Sequence, residues 1–155
     1  LLLLLFSACS STPDRTSHAS HQAGAVMDAD ADMNDVALYA LSLSDTPYRY
    51  GGNTPESGFD CSGFVRHVFK HTLNMSLPRT SHEISRLGEA QKSTRLQPGD
   101  LVFFNTLREP YSHVGIYLGD SRFLHAPSRG SKVQISDMNN RYWNERYNGA
   151  RRLPI

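Results

Sequence analysis

The run Ser112-His113-Val114-Gly115-Ile116-Tyr117-Leu118 alternates as a strand does, with His113, Gly115 and Tyr117 on one face and Val114, Ile116 and Leu118 on the other. Gly119-Asp120-Ser121 is turn chemistry, and Arg122 to Ala126 runs back. With Leu118 opposite Arg122 across a three-residue loop, His125 falls opposite Gly115, and His113 and His125 become diagonal neighbours on one face. A slip of one residue would send the two imidazoles to opposite faces, so this hairpin constrains both the sheet and the chemistry it can carry.

Around the hairpin, Gln97-Pro98-Gly99-Asp100 turns into an apolar strand from Leu101 to Phe104. Further strands are expected from Val133 to Ser136 and from Tyr147 to Leu153, with Trp143 as a packing anchor. Upstream the period becomes helical. Cys61, Phe64, Val65, Val68 and Phe69 form one stripe behind Asp60, which can cap that helix. Thr80 and Glu83 stand at capping-box spacing before a short helix that Gly88 ends. A first helix is expected to begin at Asn34, with Val36, Tyr39, Ala40 and Leu43 facing the core. The loop from Thr46 through Gly58 is too punctuated for helix or strand. The predicted class is α+β: N-terminal helices, with the Cys61 helix packed on a central antiparallel sheet.

Cys61 lies in a first helical turn, where unpaired backbone N–H groups and the positive end of the helix dipole favour a thiolate, and a neighbouring imidazolium would lower its pKa further. Helix position alone leaves open both a buried structural cysteine and a nucleophile. Two histidines on one strand face supply what a thiol nucleophile requires: one imidazole to take the proton, and a further polar group to orient that imidazole. Gly115 between them is expected to leave room for the Cys61 helix to approach the sheet. His67 and His71 have no third ligand nearby and read as residues of an exposed helix side, and Arg86 stands where a zinc protease would need its second histidine after His82-Glu83. No metal and no cofactor is expected.

A formal net charge of +1, from 16 Lys and Arg scattered against 15 Asp and Glu, gives no reason to expect a nucleic-acid partner or an anionic-membrane surface. The two cysteines, Cys9 and Cys61, lie in such different surroundings that no disulfide framework is indicated. Leu1 to Leu5, Phe6, Ser7 and Ala8 form an apolar run closing on small residues before Cys9, which reads as the end of a signal peptide. It resembles a bacterial lipobox, whose cysteine is lipidated; the alternative is an ordinary secretory signal with an incidental cysteine. Residues 10–33 contain no Leu, Ile or Phe and are expected to form a flexible tether. Within them Asp28, Asp30 and Asp32 imitate the start of a calcium loop, but Met33 and Tyr39 occupy the positions of its glycine and its bidentate glutamate, so a solvated acidic stretch is the reading. The expected division is therefore 1–9 signal remnant, 10–33 tether and 34–155 folded domain.

Five stretches in order, Tyr48-Arg49-Tyr50-Gly51-Gly52, Asp60-Cys61-Ser62-Gly63-Phe64-Val65, Leu77-Pro78-Arg79-Thr80-Ser81, Pro98-Gly99-Asp100-Leu101-Val102-Phe103-Phe104 and Ser112-His113-Val114-Gly115-Ile116-Tyr117-Leu118-Gly119, resemble the NlpC-type cell-wall peptidase family. The resemblance spans about residues 35–153. It implies a papain-like domain that cuts the peptide stems of bacterial peptidoglycan, with Cys61 as nucleophile, His113 as general base and His125 as the residue orienting that base. It further implies that Tyr48 lines the cleft and that Asp60, Ser62 and Ser81 contact the stem peptide, although those three can equally serve as capping residues. Small size together with lipid attachment at Cys9 resembles lipoprotein members held on the periplasmic side of the Gram-negative outer membrane, and a monomer is expected. No bacterial SH3 or LysM wall-binding module fits in the tail. A catalytically silent wall-binding lipoprotein on the same fold is the alternative function.

Overall fold

The structure, a computed structural model, describes residues 20–155, with side chains from residue 30 onward. Cys9, the lipobox and the first part of the expected tether lie outside the described residues. Helix α1 runs from Ser20 to Ser42, so it starts well before Asn34, which is an exposed residue in its middle. The lack of Leu, Ile and Phe upstream of Asn34 argues against a core there but not against a helix. Alanines at 23, 25, 29 and 31 carry the highest helix propensity, and Met33, inside the expected tether, is buried in the core.

A two-stranded ribbon, β1 (Asn53–Thr54) with β2 (Gly58–Phe59), occupies the loop where no strand was expected. Helix α2 (Cys61–Leu73) follows, capped by Asp60, whose Oδ1 accepts from Gly63 N–H at 2.7 Å, and closed by Asn74 at φ 52°. Helix α3 (Ser81–Ile84) carries the capping box of Thr80 and Glu83. Then come β3 (Glu89–Gln91), a 3-10 turn at Ser93–Arg95, β4 (Leu101–Phe104), β5 (His113–Gly119), β6 (Arg122–His125), β7 (Gln134–Asp137), helix α4 (Arg141–Arg146) and β8 (Tyr147–Arg152). They form one six-stranded sheet in the order β3-β8-β4-β5-β6-β7, every pair antiparallel. The α+β reading therefore holds.

Both sheet faces are covered. Leu101, Phe103, Val114, Ile116 and Leu124 meet Val36, Ala40, Phe64, Val65, Val68 and Phe69 of α1 and α2. On the other face Val102, Phe104, Tyr117 and Phe123 pack with Trp143 and Tyr147. Phe64, Val65, Val68 and Phe69 are wholly buried, and burying each stabilises by roughly 1.5–3 kcal/mol. That outweighs the ~0.3–1 kcal/mol of a charge–dipole interaction at the helix end. Packing therefore places α2, and Cys61 goes where the packing puts it.

The hairpin keeps the expected register in its body, with Ile116 facing Leu124 and Tyr117 facing Phe123, but at its tip Gly119 faces Arg122. The turn holds two residues, Asp120 and Ser121, both left-handed at φ 51° and 58°. That is the type I′ geometry, and a bulge between Tyr117 and Gly119 absorbs the residue assigned to the loop. A second close passage fixes the entry to α2: a Cβ on Gly63 would collide with the Gly52 carbonyl oxygen, so two backbones touch there with no side chain between them.

Candidate active site

Cys61 begins α2 and is half-buried against the core. Its sulfur takes backbone hydrogen bonds from Ser62 and from Val114, the residue bonded to His113. The first turn of the helix thus meets the sheet at the start of β5. Gly115 serves another purpose than expected: a side chain there would strike Phe123, the Leu124 carbonyl and His125, so it makes room for the hairpin's own partners.

His113 and His125 lie side by side as the register requires, on the face opposite α2. His113 Nε2 is 2.7 Å from His125 Nδ1, and His125 Nε2 is 2.8 Å from Ser136 Oγ on β7. Trp143 stacks on His113 with centroids 5.5 Å apart and meets His125 edge-on at 4.9 Å. Ser136 was not singled out in the sequence, although strand alternation carried the signal. Phe123 faces Ser136 across β6 and β7, which puts Ser136 diagonal to His125 on the same face.

With Nε2 of His113 committed to His125, Nδ1 is the ring nitrogen left without a hydrogen-bond partner among the described residues. For Nδ1 to be a bare acceptor, Nε2 must carry the proton and donate to His125 Nδ1. His125 Nε2–H then donates to Ser136 Oγ. With these tautomers the whole line is satisfied and the serine hydroxyl accepts at its end; the reversed line, with Ser136 Oγ–H donating, would leave the proton on His113 Nδ1.

Burial dominates the electrostatics. The thiol is pushed up from 9.0 to about 11, first by burial and then by the Asp60 carboxylate, against the backbone hydrogen bonds and the Arg79 charge. His113 is held down to about 4 by burial, and His125 is lowered by burial and by the neighbouring charge of His113. The expected thiolate–imidazolium pair is therefore not the resting form: thiol and imidazole are both neutral at neutral pH. The helix end offers the sulfur amide donors, but removal of solvent outweighs them.

Of the remaining expected residues, Tyr48, Asp60 and Ser62 lie near the sulfur. Tyr48 is half-buried and its pKa is raised by burial and by the charges of Cys61 and Asp60. Asp60 caps α2 and pairs with Arg79, and Ser62 donates to Asp60 Oδ1 at 3.3 Å. Ser81 stands apart from that group and donates to the Tyr111 carbonyl at 2.7 Å. His71 is exposed as expected, with the Tyr39 ring stacked on it, whereas His67 is half-buried and its Nε2 lies 3.0 Å from Tyr39 Oη. Among the described residues no three His, Cys, Asp or Glu side chains gather as a metal site would require.

Residues 45–152 match the model of the NlpC/P60 family. The chain is 43% identical over 110 residues to the murein DD-endopeptidase MepH of Escherichia coli K12, covering 69% of this chain and 41% of that one. It is 45% identical over 108 residues to the gamma-DL-glutamyl hydrolase of Bacillus subtilis 168, covering 69% of this chain and 26% of the relative. The chain thus spans less than half the length of either protein. A crystal structure of an NlpC/P60 family protein from Bacillus cereus superposes with a TM-score of 0.73 at 35% identity, over 79% of this chain and 40% of that one. By the match of its sequence to the family model and by its likeness to a solved member, the chain belongs to the NlpC/P60 family.

Proposed function

We propose that this protein is a peptidoglycan hydrolase, an endopeptidase cutting amide bonds of stem peptides with Cys61 as nucleophile. The observation that carries the reading is the line His113–His125–Ser136, each step a hydrogen bond of 2.7–2.8 Å, starting at the residue next to the backbone that holds the Cys61 sulfur. The family and the printed activity of MepH, a murein DD-endopeptidase, support the substrate class.

Because thiol and imidazole rest neutral, proton transfer accompanies attack. Sγ bonds to the substrate carbonyl carbon as its proton passes to His113 Nδ1, and the imidazolium is stabilised through Nε2–H donating to His125. His113 then protonates the leaving amine, giving a thioester, and water attacks that thioester with His113 again as base. The Cys61 backbone N–H helps hold the oxyanion.

Cys61→Ala protein should release no cut muropeptides from purified wall while keeping its fold by circular dichroism; turnover equal to wild type would sink the proposal. Mass spectrometry of the same digest reads which bond is broken, a choice on which the two relatives' names differ. Lipid attachment at Cys9, with an outer-membrane location facing the periplasm, belongs to this reading on sequence grounds. Radiolabelled palmitate should enter the wild-type chain in bacteria and not the Cys9→Ala chain, and equal labelling would remove the anchor from the proposal.

A further inference from the structure

The turn between α2 and α3 brings a charged group to the thiol's side that the sequence reading did not single out. Arg79 meets Asp60 end-on, with Nη2 donating to Oδ2 at 2.5 Å and Nη1 to Oδ1 at 3.3 Å, and Nη1 also donates to Ser62 Oγ at 2.7 Å. Asp60 accepts further hydrogen bonds from Gly51 N–H at 3.0 Å, Gly63 N–H at 2.7 Å and the Ser62 hydroxyl. A carboxylate has about four lone-pair sites. The protein itself fills them, and Asp60 has none to offer a cationic group on a substrate.

The guanidinium is in the opposite condition. Of its five N–H donors, those pairings use both on Nη1 and one on Nη2. The edge formed by Nε–H and the second Nη2–H has no partner among the described residues. That is the side-on edge, which takes a carboxylate through two parallel hydrogen bonds. Arg152 uses the same edge on Asp100, with Nε and Nη2 both at 2.8 Å. The Arg79 side chain is 42% exposed and that of Asp60 only 12%, so the pair turns its cationic side outward. Its charge is felt at the Cys61 sulfur, where it lowers the thiol pKa.

We infer that Arg79 is a substrate-binding residue whose free edge holds a carboxylate of the peptide close to the bond that Cys61 attacks, with Asp60 as the residue that positions it. The inference rests on the peptide hydrolysis proposed above and narrows its substrate to stem peptides with a free carboxylate at that place. A substrate presenting an ammonium group there would meet a filled Asp60 and a repelling guanidinium.

A synthetic stem tetrapeptide, with its carboxylates free or converted singly to carboxamides, tests this. Wild-type kcat/KM should fall about 10- to 100-fold when the carboxylate held by Arg79 is amidated. In Arg79→Met the ratio should collapse towards one, and Arg79→Lys, which keeps the charge without the fork, should retain a reduced preference. Each ratio is read within one protein, so a smaller folded fraction cancels. Equal rates on every peptide in the wild type, or a wild-type preference that persists in Arg79→Met, overturn the assignment. If neither these peptides nor purified wall is cut, the hydrolytic reading fails; if wall alone is cut, the bond lies outside a single stem. Calorimetric binding of the same peptides to Cys61→Ala protein, with and without Arg79→Met, then decides: a preference lost with Arg79 supports the carboxylate site and an unchanged one overturns it.

Discussion

Lowering the pH from 7.5 to 5.0 should destabilise the fold by about 2 kcal/mol through His113 alone, since burial holds this imidazole down to about 4. A group whose pKa is depressed by folding contributes stability above its ordinary value, here 6.5, and loses it as pH falls towards the folded value. At pH 5.0 the unfolded chain carries nearly a full proton at this position and the folded chain about a tenth of one, and integrating that difference gives the figure. Below pH 4 the loss levels out near ~3.4 kcal/mol, from 1.36 kcal/mol per unit. His125 is shifted the same way, so the measured loss should exceed the single-site value. Cys61 sets the alkaline flank. Its pKa is raised from 9.0 to about 11, so its contribution is complete below 9.0 and is lost as pH rises through 11. Stability should therefore form a plateau between about pH 6.5 and 9 and fall on both sides. Urea unfolding followed by far-ultraviolet circular dichroism at pH 5.0, 7.5 and 10 checks this. A flat profile from pH 7.5 to 5.0, or an acid loss in His113→Asn as large as in the wild type, would refute the argument that burial of these rings governs their protonation.

Ser136→Ala should lower kcat about 2- to 10-fold with little change in KM, the worth of one hydrogen bond that holds the His125 ring; Ser136→Thr should restore the rate, and an unaffected kcat in Ser136→Ala would remove the serine from the line. His125→Ala should reduce kcat more than Ser136→Ala does, because it strips His113 Nε2 of its partner, and a smaller effect in the same muropeptide assay would reverse that order. Asp100 is 0% exposed and clamps Arg152 through two hydrogen bonds while accepting from Gln97 N–H. Asp100→Ala should cost about 3 kcal/mol by urea unfolding, the lower end for a broken buried pair because Arg152 is partly exposed.

Alternation found the histidine pair because the bulge between Tyr117 and Gly119 absorbs the one-residue error at the hairpin's tip and restores the expected register from Tyr117 and Phe123 onward. The tip itself was misjudged because Asp120 and Ser121 adopt left-handed backbone without the glycine that usually announces it. Cys61 was identifiable from its helix stripe and cap, whereas its protonation was not. The helix end is a local feature that sequence shows, and burial by β5 is a long-range one that it does not. Ser136 and Arg79 escaped for the same reason, since their roles depend on β7 joining β6 and on a turn folding back over the start of α2. The early start of α1 was obscured by equating low bulk hydrophobicity with absence of helix.

The contact of Gly63 with the Gly52 carbonyl sets a particular pattern of mutational tolerance. Since bare backbone fixes how far α2 stands from the loop before it, the position of Cys61 does not depend on the size of any side chain at that crossing. The exposed loop residues Asn53, Glu56 and Ser57 can vary without moving the nucleophile. One methyl group at residue 63 would instead push against a carbonyl and against the Asp60 oxygen that caps the helix, displacing thiol, cap and guanidinium together. A saturation scan of residues 51–63 should thus show crowded columns at the exposed positions 53, 56 and 57 and empty ones at 52, 58 and 63, where added carbon meets backbone, beside those at Asp60 and Cys61.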